Sequence, residues 1–167
     1  MHEWPQRPVP DAQWRLSWAW RLDRPLAAAD LRAKAGDDAA LKVCLMFDPP
    51  LSALPFGERA RLQIARAVSG QPLPAATLCY VWDTQLPAGT ELPNAHSARV
   101  RYLVLDGTAS PVGTWQRHTR AVLADLQRAF GSEVAAPTPL IGIAVGADSD
   151  NTGGHSLGWV AALGWSR

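Results

Sequence analysis

A chain of 167 residues with a formal net charge of +1, 47% hydrophobic and 8% aromatic, is long enough for one well-buried core and carries no field that would draw it to nucleic acid. Fourteen prolines and thirteen glycines require many turns, and no stretch reaches the roughly 18 apolar residues of a membrane-spanning helix, so no membrane insertion is expected. Read as written, the first residues lack the basic and apolar regions of a secretory leader, which by itself points to the cytoplasm.

Residues 1–13 form a Pro-rich segment, and residues 14–167 are expected to make a single domain. The clearest periodic signal runs over 14–22. There Trp14, Leu16, Trp18, Trp20 and Leu22 take every second position, with Arg15, Ser17 and Arg21 between them, the pattern of a strand with one buried face. The stretch 39–47 is apolar on both faces apart from Lys42, as expected near the middle of a sheet, and Pro49 and Pro50 end it. Two stretches read as helix. One covers 55–68, with Leu62, Ala65 and Val68 on a stripe and Arg59, Arg61 and Arg66 away from it. The other opens at Thr114, carries Trp115, Val122, Leu126, Ala129 and Phe130 at helical spacing, and stops at Gly131. The segments 77–82, 99–105, 140–145 and 157–165 are four further strands. Six strands with one or two short helices predict an all-β fold, an antiparallel β-sandwich. Cys44 and Cys79 each lie inside an apolar run rather than in a C-x-x-C pair, which favours two buried thiols over a bridge or a zinc site.

Several short motifs occur in order: Trp18 and Trp20 with Asp23; Gly36, Asp37 and Asp38; Phe47 with Asp48; Cys79 with Trp82; Gly113 and Trp115 with Arg120; Phe130 with Gly131; and Asp148, Ser149, Asp150, Asn151 and Thr152. Taken together they resemble the family called Domain of Unknown Function 3047, over nearly the whole chain from Trp14 onward. The resemblance implies a jelly roll of galactose-binding-like type, secreted or periplasmic, with no assigned activity. It also implies an N-terminus shortened relative to the family. With upstream strands missing, the Trp14, Trp18 and Trp20 row would be an uncovered flank suited to self-association.

Tyr80, Trp82 and Tyr102, with Arg99 and Arg101 nearby, are the candidate carbohydrate platform, and core packing is the competing reading of the same rings. Asp148, Asp150 and Asn151 gather the oxygen ligands that calcium prefers, and Asp37 and Asp38 would add carboxylates if the loops meet; Asx turns that tie the loop to its own backbone compete with that reading. His96, His118 and His155 belong to no catalytic motif, and Arg117, Arg120 and Arg128 suit a solvated helix face. The preferred expectation is a non-catalytic binding module for a carbohydrate or another polar envelope ligand. The alternatives are a glycan-acting hydrolase using paired aspartates such as Asp37 and Asp150, and a structural or interaction domain.

Overall fold

Alternation decides the first strand. In the computed structural model, which describes residues 7–135 and 137–167, β1 (Arg15–Arg24) turns Leu16, Trp18, Trp20 and Leu22 fully inward. The first six residues of the Pro-rich segment lie outside the described residues. β1 is the middle of a three-stranded antiparallel sheet, between β6 (Gln116–Ala121) and β8 (Leu157–Ser166).

Opposite it stands a five-stranded sheet in the order β4-β5-β3-β2-β7. Its members are β2 (Leu41–Phe47), β3 (Ala76–Trp82), β4 (Glu91–Pro93), β5 (Val100–Asp106) and β7 (Leu140–Gly146). The molecule is thus a mainly β, two-sheet sandwich with two short helices. The inward row of β1 meets Val43, Leu45 and Phe47 of β2 and Leu78, Tyr80 and Trp82 of β3 in one core cluster. Trp18 lies 5.1 Å from Tyr80 and Trp20 lies 5.9 Å from Trp82, centroid to centroid. The row is therefore covered, and the uncovered flank from which self-association was expected is absent from this face. Trp14 is the exception: it lies half-buried at the strand's start, 5.1 Å from Trp165.

Three expectations are corrected. The sandwich is not wholly antiparallel, because β3 and β5 run parallel. The connection 83–99 is long enough to carry the chain back along the sheet, with β4 laid antiparallel to β5 on the way. The helix expected from Thr114 begins only at α2 (Val122–Phe130); residues 116–121 are strand β6, because pairing with β1 outweighs a helical spacing that mixes Gln, Arg, His and Thr. Gly131 does end α2, with a positive φ of 58°. Finally, Cys44 and Cys79 are joined as a disulfide. They fall directly opposite one another on β2 and β3, Cα atoms 4.0 Å apart, so two thiols in apolar runs become neighbours through register alone.

The remaining helix, α1 (Phe56–Ser69), holds to its expected span and ends on Gly70 at φ 65°. Leu62 is buried against Leu54 and Ala75, but Val68 is exposed, and Arg66 turns inward to Asp48 at 2.6 Å. The inner stripe is therefore Leu62 with Ala65, and Val68 belongs to the opposite side.

Candidate functional site

The residues expected to bind sugar are dispersed. Tyr80 and Trp82 are 0% exposed, so neither ring offers a face to a ligand. The Tyr80 hydroxyl donates to Asp125 at 2.9 Å, and burial together with that carboxylate pushes its pKa up. Arg120 closes on the same carboxylate with two hydrogen bonds, at 2.8 and 2.6 Å, and Arg128 adds a third at 3.2 Å. These arginines of the expected helix face are thereby bound to the fold, while Arg117 on β6 stays exposed. Tyr102 points to the other side of the sheet and donates to Asp37 at 3.2 Å. Arg99 and Arg101 stand 5.6 and 5.7 Å from the Phe130 ring, and Arg99 is paired with Glu133 at 2.5 Å; both guanidiniums brace α2. The Arg101 Nε is buried and makes no hydrogen bond among the described residues.

The acidic loops do meet, as a clasp. Asp38, 1% exposed, accepts the Thr152 N–H at 2.7 Å, its hydroxyl at 2.5 Å and the Asn151 N–H at 3.2 Å. Asp148 accepts the Ala39 N–H at 2.7 Å and the Lys42 ammonium at 2.5 Å. Asp37 accepts from Asn94 as well as Tyr102, and Asp150 is exposed on the turn. Protein donors hold the very oxygens that a cation would need, and among the described residues no group of three or more His, Cys, Asp or Glu is gathered for a metal. The arrangement ties the connection between β7 and β8 to the segment that leads into β2.

That clasp has a pH signature. Burial raises the Asp38 pKa, but the Thr152 and Asn151 donors outweigh it and hold the carboxyl below its ordinary value. A depressed folded pKa means a contribution complete above the unfolded value of about 3.9 and lost as pH falls through the folded value. Asp38→Asn is expected to cost about 1–3 kcal/mol at pH 7, since it sets an amide donor against two N–H groups. Urea denaturation of both proteins should show that gap narrowing below about pH 4; a gap unchanged down to pH 3 would rule the clasp out as an ionic one.

A second buried carboxylate anchors the interior. Asp106 accepts the Trp20 indole N–H at 2.6 Å, His118 at 2.7 Å and the Ser110 hydroxyl at 2.8 Å. Burial raises its pKa and those three partners bring it below the ordinary value, His118 most. His118 thereby serves the packing of the tryptophan row, 5.5 Å from Trp18 and 5.3 Å from Trp20.

The open polar and aromatic surface lies elsewhere, on the outer face of the three-stranded sheet. Arg21 of β1 pairs with Trp159 of β8, and on the other side of β1 Trp115 immediately precedes β6, whose Gln116 pairs with Trp20. Trp159 is 52% and Trp115 44% exposed. With strands about 4.8 Å apart, the two indoles are rooted about 10 Å from each other across Arg21. Asp23 accepts Arg21 at 2.5 Å and the Trp159 indole N–H at 2.9 Å, and these two donors hold its pKa down. In the adjoining rows Arg117, Ala19 and Ala161 lie side by side, then Thr119, Ser17 and Gly164, with Ser17 and Thr119 hydroxyls 2.9 Å apart. Apart from Arg117, the side chains of these two rows are small, so they stand below the two indoles. Nothing in the alternation of 157–165 announces this site, because a bulge with Ala162 at φ 54° turns Trp159 outward while Trp165 faces in.

Two grooves lie elsewhere on the surface, of about 130 Å³ beside Glu91 and Arg128 and about 310 Å³ between α1 and the loop at His96. Their main charges pair with one another, Arg128 with Glu91 and Arg99 with Glu58. In comparisons with known proteins, the model of a family described as protein of unknown function, DUF3047, matches residues 5–163. No curated protein matches the chain.

Proposed function

The chain belongs to the DUF3047 family, whose description assigns no activity, and we propose that it is a non-catalytic binding module for a carbohydrate, held on the outer face of the three-stranded sheet. The observation that carries this reading is the pair of half-exposed tryptophans, Trp115 and Trp159, flanking Arg21 and Asp23 beside rows of small side chains. Indoles leave water readily onto the apolar C–H face of a sugar ring, while a carboxylate accepts hydroxyl protons and a guanidinium donates to hydroxyl oxygens. Two indoles rooted about 10 Å apart suit sugar units in a chain better than one terminal sugar. The same residues lack a buried acid or a shielded cavity, so the chemistry that the face supports is recognition.

A glycan array probed with the full chain tests this. Trp159→Ala and Trp115→Ala are each expected to weaken the captured glycan by about 2 kcal/mol, roughly thirtyfold, as truncated aromatic anchors do. Both side chains are about half exposed, so the fold should survive with a smaller loss of melting temperature than truncation of the fully buried Trp82 gives. An array without a captured glycan, or one whose signal survives Trp159→Ala, overturns the reading.

A further inference from the structure

α1 has two apolar sides. Leu62 faces the sandwich, and on the opposite side Phe56, Ile64 and Val68 are 79%, 65% and 84% exposed. At 100° per residue these three fall within an arc of about 120°, with Ala60 and Ala67 filling the gaps. The exposed area is on the order of 400 Å², the size of the largest apolar patch on an ordinary monomer, a patch that is often functional.

We propose that this stripe lays α1 on an anionic lipid surface. The charges choose the partner. Arg59 and Arg61 border the stripe on its two sides; Arg59 lies 5.7 Å from the Phe56 ring and the Arg61 side chain is 81% exposed. The acid of α1, Glu58, is shared between Arg61 at 3.0 Å and the inward Arg99 at 3.5 Å, so the excess charge beside the stripe is positive, with Arg59 facing no carboxylate among the described residues. A second copy of the chain is disfavoured, because an isologous pairing would bring like-charged margins together. A protein partner of standard size would bury about 800 Å² on each side, polar rim included, and would have to extend well past the stripe. A bilayer asks for less. A helix lying in the headgroup plane needs only its apolar stripe to reach the acyl boundary and basic side chains beside it.

This surface is separate from the tryptophan face, and its test uses no glycan. The full chain is sedimented with vesicles of phosphatidylcholine alone and of phosphatidylcholine mixed with phosphatidylglycerol. Binding to the mixed vesicles is expected, weakening as salt is raised. Ile64→Asp with Val68→Asp should reduce it about tenfold or more while leaving the circular dichroism unchanged, since neither side chain contributes to the core. Arg59→Gln with Arg61→Gln should reduce it for the anionic vesicles, and it supplies the reading if the first variant does not fold. No wild-type binding to the mixed vesicles overturns the proposal. So does binding that both variants retain, or a dimer that Ile64→Asp abolishes, which would make a second copy the occupant.

Discussion

Replacing Trp82 with alanine is expected to lower the unfolding free energy by about 3–5 kcal/mol, against a total of about 5–15 kcal/mol for a domain. The residue is 0% exposed and packs on Trp20, which itself meets Trp18 at 5.6 Å, so the vacancy opens in the middle of the seam between sheets. Phenylalanine separates packing from hydrogen bonding. The Trp82 indole N–H makes no hydrogen bond among the described residues, so Trp82→Phe gives up volume alone. Trp20→Phe removes the 2.6 Å donor to Asp106 and leaves a buried carboxylate oxygen short of a partner, an added penalty of about 1–3 kcal/mol. Guanidinium denaturation midpoints should therefore rank wild type first, then Trp82→Phe, then Trp20→Phe. Equal midpoints for the two phenylalanine variants would show that the Asp106 bond does not stabilise the seam.

The same residues show what a sequence makes legible. The every-other-residue row from Leu16 to Leu22 identified the inner face of a sheet, because only burial selects such a period, and the sandwich follows from it. What could not be read were relations set by register. Tyr80 and Trp82 looked available because polar residues follow them, yet β3 is an inner strand of its sheet and Trp18 and Trp20 of the facing sheet cover both rings. Trp159 and Trp165 stand at positions of equal parity, and only the bulge at Ala162 sends one outward and the other in. Spacing alone does not say whether the Asp38 and Asp148 loops meet, and the donors that join them, Thr152 and the Ala39 N–H, have no spacing signature. Arg117 to Arg120 carried a helical spacing that strand pairing overrode.

Breaking the Cys44–Cys79 bridge is the second large effect to expect. The two cysteines are 35 residues apart in sequence, and closing a loop of that length removes denatured-state entropy worth about 4 kcal/mol in the chain-entropy model; measured disulfides typically give about 2–4 kcal/mol. Cys44→Ala with Cys79→Ala should therefore lower the melting temperature by on the order of 5–15 °C. The sulfurs sit among Leu31, Ala39, Val81 and Val104, with Cys44 6% and Cys79 3% exposed. A reductant in water cannot reach them while the sheet is closed, so native protein in dithiothreitol should be reduced no faster than it opens, and denaturant should accelerate the reaction. Mass spectrometry after alkylation reads both states: no alkylated cysteine after unfolding without reductant, two after unfolding in reductant. Two alkylated cysteines in protein unfolded without reductant would return the pair to the buried thiols that the apolar runs alone suggested. Because such bridges persist in oxidising compartments and are rare in reducing ones, protein made in a reducing cytosol should carry the thiols and melt at the lower temperature of the double alanine variant.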